Sequence, residues 1–421
     1  MKILVLGSGA REHAMLAALA GPSVTLHCAP GNAGTAAVAT NHPLDLASPD
    51  AALALARHLD TDLTVVGPEL PLSVGVVDRF QEAGLPIVGP TAAAARLETS
   101  KAWAKEFMAR HHVPTARFVV AETEADALAA ARSGSLGWPL VVKADGLAAG
   151  KGVVVASDLA EAEATIRDMM SLGRFGAAGA RVVLEECLTG PEVSFFVLTD
   201  GERAMAIGTA QDHKRVFDDD RGPNTGGMGA FSPSPLADES LAERVTAEVV
   251  RPVIDGMRAE GHPYRGFLYC GLMLTARGPR VIEFNARLGD PETQVLLPLG
   301  EPLLPLLQSV SAGTLPPREA IGSGRKRVGV VVASGGYPGE FASGKAITGL
   351  EQAAALPDVR VFHAGTKLSG GHVVSAGGRV LTVVGEGTTF RDAMSRAYAG
   401  VDAIRFDGAF ARSDIGKKAL A

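Results

Sequence analysis

Four short apolar runs open the chain, KILVL (2–6), VTLHC (24–28), LTVVG (63–67) and PIVG (86–89), with helical periodicity between them at about 12–20, 50–59 and 73–83. Strands separated by helices of this length pair as parallel neighbours, each helix crossing over a face of the sheet. This alternation constrains the first hundred residues more than any other feature, and it specifies a doubly wound parallel sheet. Ligands of such sheets gather where strands end. Three Gly/Pro-rich turns stand at those ends: GSGARE (7–12), APGNAGT (29–35) and VGPELPL (66–72).

A helical segment, 91–111, leads into a second α/β region. PLVVKADGLAAGKGVVVAS (139–157) reads as strand, Gly-rich loop, strand; a helix at about 158–170 and the strand RVVLEECLTG (181–190) follow. After two more strands, residues 211–235 read as a long loop of low hydrophobic content, and such loops inside a compact domain are functional or disordered. A helix near 238–260 precedes the strand pair GFLYCGLMLTA (266–276) and RVIEFNA (280–286). SAGTLPPREAIGSG (311–324) has the composition of a boundary, and a small, mostly β region begins near Lys326. The expected units are 1–100, 101–325 with a small lid subdomain at about 120–190, and 326–421, consistent with a prior of roughly three domains for 421 residues.

Charge and composition narrow the partners. A net charge of −6 leaves no basic footprint for nucleic acid. No apolar run reaches the roughly 18 residues of a spanning helix, and the amino terminus enters a strand without the order of a signal peptide. Cys28, Cys187 and Cys270 are odd in number and lack metal spacing, which fits a reducing compartment. The expectation is a cytoplasmic monomer acting on small molecules, with no nucleic acid or membrane partner.

Five motifs carry the chemistry. VLGSGAREHA (5–14) follows a dinucleotide fingerprint until Glu12 stands where a third glycine is needed, and the second strand ends in His27, Cys28 and Ala29 with no ribose-binding acid. A nicotinamide or flavin site therefore fails on two counts. What remains is a turn fit for one phosphate, with Arg11 as partner, or a tight turn with no ligand. In VVKADGLAAGKGVVV (141–155) two lysines bracket a loop able to fold over a polyphosphate; Gly152 after Lys151 rules out a P-loop. A plain hairpin is the alternative, but Lys143 inside an apolar strand would be costly without a partner.

VLEECLTGPEVSF (183–195) reads as a crossover edge with solvated carboxylates or as a hinge beside a nucleotide base, and spacing alone favours the former. In VIEFNARLGDPETQ (281–294), Glu283 and Asn285 lie two apart on a strand and share a face. A carboxylate and an amide oxygen are hard ligands suited to Mg²⁺ bridging phosphates. Finally, QDHKRVFDDDRGPNTGGMGAFSP (211–233) places Asp212, Lys214 and Arg215 near its start and a glycine-rich piece near its end. Its three successive acids, Asp218 to Asp220, read as solvated.

Taken in order, GxGxREHA, PGNAGT, VGPExPL, KADGLAAGKGV, QDHKR, GPNTGGMGA, GFLYxGLM and EFNxRxGDPETQ resemble the phosphoribosylamine–glycine ligases, a family of ATP-grasp enzymes. The likeness runs from residue 2 to at least 415. It implies an ATP-grasp fold behind an N-terminal doubly wound domain and ahead of a small, mostly β C-terminal one. It also implies ATP-dependent joining of glycine to 5-phosphoribosylamine through glycyl phosphate, with Mg²⁺ or Mn²⁺, in purine synthesis. Carried over by position, the resemblance puts ATP at Lys105, Lys143, the loop from Asp145 and Gly146 to Lys151 and Gly152, Glu185, Glu186, Leu188 and Glu192. It puts the metal on Glu283 and Asn285, and glycine with its acyl phosphate near Asp212, Lys214, Arg287 and Asp290. The sugar phosphate falls to Gly9, Arg11, Glu12, Asn32, Gly34, Thr35, Pro68 and Glu69. The family pattern EFNCRFGDPE is broken at Ala286 and Leu288, as packing changes. The rival readings are another ATP-grasp ligase, such as a carboxylase acting on a purine intermediate or biotin, and a nucleotide-binding regulatory protein without turnover.

Overall fold

The computed structural model describes residues 1–146, 152–171, 179–317 and 324–420. Its first sheet holds β1 (Lys2–Gly7), β2 (Thr25–Pro30), β3 (Thr40–Asn41), β4 (Leu63–Val66) and β5 (Ile87–Val88), in the order β3-β2-β1-β4-β5 and parallel throughout. Along β1, Leu4 and Leu6 join one apolar cluster and Ile3 and Val5 another, so the strand is buried on both faces, as a parallel sheet requires. The helices α1 (Ala10–Leu19) and α2 (Pro49–Leu59) match the sequence periodicity. The third expected helix is α4 (Val76–Glu82), and a short helix not expected from the sequence, α3 (Glu69–Ser73), precedes it, the two separated at Gly75 with φ +84°.

The helical segment after β5 likewise divides into α5 (Arg96–Thr99) and α6 (Lys101–Arg110), where the Ser100 hydroxyl caps α6 by accepting from the Trp103 N–H. A four-stranded sheet follows, β6 (Phe118–Ala121), β7 (Leu140–Ala144), β8 (Val153–Ala156) and β9 (Val182–Glu186), in the order β6-β9-β7-β8. With the helices Glu124–Ser133 and Leu159–Met170 it buries a core of its own, including Val142, Ile166 and Leu184.

The largest sheet begins with β10 (Glu192–Asp200) and β11 (Ala204–Asp212). Residues 211–235, expected as a loop, contain an isolated hairpin, β12 (Arg215–Phe217) with β13 (Arg221–Asn224), and a sheet strand, β14 (Gly229–Ser232). Their polar, Gly-rich composition hid them. The long strands β15 (Arg265–Thr275) and β16 (Gly278–Asn285) continue the sheet, and β17 (Lys326–Ser334) pairs with β14. Beyond these lie β18 (Val359–His363), the small hairpin β19 (Thr366–Ser369) and β20 (His372–Ser375), β21 (Arg379–Gly387) and β22 (Ala409–Phe410). The order β16-β15-β10-β11-β14-β17-β21-β18 crosses the expected boundary at residue 325 without a break.

Candidate active site

The first group of functional side chains sits between α6 and the four-stranded sheet. Lys143 on β7 faces Val183 on β9, and Glu185 two residues on shares that face, so the sheet delivers Lys143 and Glu185 to one point. Lys105 arrives from α6. Its Nζ lies 2.9 Å from Glu185 Oε2, and Lys143 Nζ lies 2.9 Å from Oε1, all three side chains being buried. Burial pulls the Lys105 ammonium down to about 8 although Glu185 opposes this. For Glu185, burial raises the carboxyl, but Lys143 and Lys105 together hold it below the usual range. Lys105 also donates to Thr115 Oγ1 at 2.7 Å, and Lys143 to the Ile282 carbonyl at 3.3 Å, which ties the small sheet to β16.

A second group centres on β16 and the end of β11. Glu283 and Asn285 lie on one face of β16, half-buried, opposite Gly271 and Tyr269 of β15. A side chain at Gly271 would press within 3.3 Å of Glu283 Cγ, so the glycine leaves that carboxylate its room. Burial raises the Glu283 carboxyl, yet Lys214, Lys143, Lys101 and Arg287 together keep it below the ordinary value. Lys214 is 2.8 Å from Glu192 Oε2. Burial opposes its charge, but Asp212, Tyr269, Glu192 and Glu283 push its ammonium well up. Asp212 moves up too, through burial and its acidic neighbours, because the single Lys214 cannot offset them. Glu292 is raised to about 7, by burial and then by Asp212. Carboxylates and cationic side chains thus converge on this face, acidic oxygens for a cation beside positive charges for phosphate.

The third group joins the N-terminal sheet to the turn after β16. Arg287 reaches Glu98 at 2.7 Å, Glu69 at 3.2 Å and Asn285 Oδ1 at 3.3 Å, while Glu98 also accepts from the Ala286 N–H. Pro68 ends the approach to α3, whose first residue is Glu69. Asp290 lies 3.6 Å from Arg379 and accepts from Gln294; burial raises its carboxyl, but Arg379 and Arg11 bring it below normal.

The N-terminal turns use their donors internally. The Gly9 N–H donates to Glu12 Oε2, and Arg11 pairs with Glu12 Oε1 at 2.6 Å and donates to the Leu288 carbonyl. A Cβ at Gly7 or Gly67 would collide with Glu12, so the acid fills the space over the turn that a dinucleotide pyrophosphate uses in related sheets. Asn32 Oδ1 accepts from the Gly34 and Thr35 N–H groups, and its Nδ2 donates to the Ser8 and His363 carbonyls. Asn32, Gly34 and Thr35 thus build a closed turn that docks on β18.

Other expected residues also have engaged side chains. Asp145 accepts from the Ala102 N–H at the start of α6 and pairs with Arg181 at 2.6 Å. Glu186 meets Arg117 and Arg277, which outweigh burial and hold it at about 2. Leu188 is half-buried just beyond β9, and Gly146 gives its carbonyl to Lys101 Nζ at 2.8 Å. Gly152 is buried before β8, and Lys151, with the rest of 147–151, lies outside the described residues. Ala286 and Leu288 are buried, in keeping with a packing role.

The sequence reading missed Glu98, Lys101 and Arg379. Glu98 and Lys101 flank the break between α5 and α6, and Arg379 opens a strand after two glycines; none carries a local signal. Among the described residues, no three His, Cys, Asp or Glu side chains are grouped to hold a metal. Glu283 and Asn285 fit Mg²⁺ of the kind that takes one or two protein oxygens and completes its shell with phosphates and water. No helix of the described residues is long and apolar enough to cross a membrane.

Comparison with known proteins gives three matches that tile the chain. Residues 1–98, 99–293 and 327–418 match the N domain, the ATP-grasp (A) domain and the C domain of phosphoribosylglycinamide synthetase. Phosphoribosylamine–glycine ligases of Xanthomonas campestris and Vibrio cholerae are 54% and 50% identical, over 100% of this chain and 98% and 99% of theirs. The crystal structure of phosphoribosylamine–glycine ligase from Thermotoga maritima aligns with a TM-score of 0.85 at 35% identity, covering 98% of this chain and all of that one. A biotin carboxylase from Campylobacter jejuni shares the fold, with a TM-score of 0.75 at 17% identity over 97% of this chain and 92% of its own.

Proposed function

The chain belongs to the phosphoribosylglycinamide synthetase family, and from that premise we propose how its residues divide the family's reaction among them. The reaction is ATP-dependent ligation of glycine to 5-phosphoribosylamine, giving glycinamide ribonucleotide, ADP and phosphate in de novo purine biosynthesis. The observation that carries the assignment of residues is the end of β16, where Lys143 bonds the Ile282 carbonyl and Arg287 bonds Asn285 on either side of Glu283.

Lys105 and Lys143 hold the phosphates of ATP, with Glu185 keeping both lysines in place. Gly146, Lys151, Gly152 and the residues around Glu186, Leu188 and Glu192 enclose the nucleotide. Glu283 and Asn285 would hold Mg²⁺, with Mn²⁺ as the alternative; the bound ion neutralises phosphate charge. The glycine carboxylate attacks the γ-phosphorus, the bond to ADP breaks, and glycyl phosphate results. Asp212 and Lys214 orient glycine, and Arg287, braced by Glu98 and Glu69, faces the negative charge of the acyl phosphate. The amine of phosphoribosylamine, bound between Asp290 and the turns bearing Gly9, Arg11 and Glu12, Asn32, Gly34 and Thr35, and Pro68 and Glu69, then attacks the acyl carbon; phosphate leaves and the amine gives up a proton. Phosphoryl transfer asks mainly for positioning and charge neutralisation, and an acyl phosphate must be kept from water. We assign residues 1–100, 101–325 and 326–421 as the units of a cytoplasmic monomer.

Phosphate release that requires glycine and phosphoribosylamine together is the expected assay result. Release driven by bicarbonate in place of glycine would favour a carboxylase, and no release at all would favour a regulatory protein. Glu283→Ala should abolish turnover at any Mg²⁺ concentration. Full activity in that variant would sink the metal assignment.

A further inference from the structure

The hairpin of β12 and β13 pairs only with itself, so no sheet neighbour fixes its direction. Lys214 immediately precedes it, and its carbonyl accepts from the Thr225 N–H and hydroxyl across the mouth of the hairpin, so the reach of this lysine follows how the hairpin is held. His213 is tied through its backbone alone, its N–H to the Gly229 carbonyl and its carbonyl to the Met228 N–H, since neither of its buried ring nitrogens has a partner among the described residues. The polar contacts that tie the hairpin beyond Lys214 to the body of the protein come from the far end of the chain. Arg412 is buried, and its guanidinium spends every edge: Nε and Nη2 on Asp414 at 2.8 and 2.7 Å, Nη1 on the Arg215 carbonyl at 2.9 Å and on Asp220 at 3.0 Å. Asp414 also accepts from the Asp219 N–H, Ser413 bonds Asp218, and Lys418 pairs with Asp220. Two of the three acids expected to be solvated are therefore docking points.

This terminal segment is itself fixed. β22 pairs with β17, the Tyr398 hydroxyl donates to the Arg412 carbonyl, and the Ile415 N–H donates back to that hydroxyl. Ile415 packs in one cluster with Val216, Met228 and Phe231. We propose that Arg412 is a positioning residue for the ligation: through the Arg215 carbonyl and Asp220 it sets the hairpin and hence the reach of Lys214 toward glycine. The inference rests on the assignment of Lys214 to glycine made above.

The test compares Lys214→Ala, Arg412→Lys and Asp220→Asn in the full-length enzyme. Arg412→Lys keeps the charge but cannot bond all these acceptors with one ammonium. Asp220 is exposed, so its variant decides the matter if Arg412→Lys fails to fold. Active sites are counted by ATP titration. Misplacement of a substrate-orienting group by about 1 Å can cost 10²-fold. The expected result for Arg412→Lys and Asp220→Asn is a loss of kcat/KM for glycine on the order of 10- to 100-fold with KM for ATP unmoved. If Lys214→Ala shows that loss and the other two keep native glycine kinetics per active site, with only a lower Tm, Arg412 merely stabilises the fold and the inference is overturned. If Lys214→Ala itself leaves glycine kinetics unchanged, the assignment of Lys214 fails first, and the inference with it.

Discussion

At the scale of single residues, the site is governed by which charges have partners before any ligand arrives. Lys105 and Lys143 share Glu185, and Arg287 is divided between Glu98 and Glu69. Glu292 stands apart, since its strongest neighbouring charge, Asp212, is of the same sign, and its carboxyl rises from 4.5 to about 7. Between those values the folded chain keeps a proton that the unfolded chain has released. Stability tied to this group is therefore greatest below about pH 4.5, falls as pH rises, and is fully lost above about 7. Glu292→Gln should remove that dependence and stabilise the chain by on the order of 1–3 kcal/mol at pH 8, with little effect at pH 4.5. Urea unfolding at the two pH values checks it, and equal shifts at both would refute the role of this carboxyl.

Among the elements, legibility followed locality. The long apolar strands and the capped helices stood out in the sequence because their signals are periodic and local. The pairing of Glu283 with Asn285 was also legible, since strand geometry alone puts residues two apart on one face. The short α3 was not, because its five residues, two leucines around a proline after Gly67 and Pro68, read as a turn. The hairpin of β12 and β13 was hidden by its polar composition and also because its anchors, Arg412 to Lys418, lie nearly two hundred residues away. Strand β14 was missed because Gly229 and Ala230 carry no strand propensity. A Cβ at Gly229 would lie 2.6 Å from the Gly329 carbonyl oxygen and 2.7 Å from Ile415, so Gly229→Ala forces β14 and β17 apart. That overpacking should cost about 1–3 kcal/mol. Thermal unfolding reads the loss; an unchanged Tm would mean that the ladder gives way freely. The Gly229 carbonyl also accepts from the His213 N–H, so the strain is delivered next to Lys214.

For the molecule as a whole, one continuous sheet joins the units on either side of residue 325. The sheet runs from β16 to β18 through both regions, and Arg379 from the far side bonds the Gly226 and Asp290 carbonyls beside the site. A chain ended at residue 325 would leave β14 as a raw edge with unpaired N–H and C=O groups, and such edges template aggregation. Expressed that way, it should yield no soluble monomer by size-exclusion chromatography, and a monodisperse, ATP-binding fragment would contradict the reading. The sequence could not reveal this continuity, because strand pairing across domains leaves no periodic trace. The ladder sets Gly229 against Val330, Ala230 against Gly329, Phe231 against Val328 and Ser232 against Arg327. Any chimera that borrows its last hundred residues from a relative must therefore reproduce four rungs in step, so that compatibility between donor and host becomes a matter of alignment along one strand.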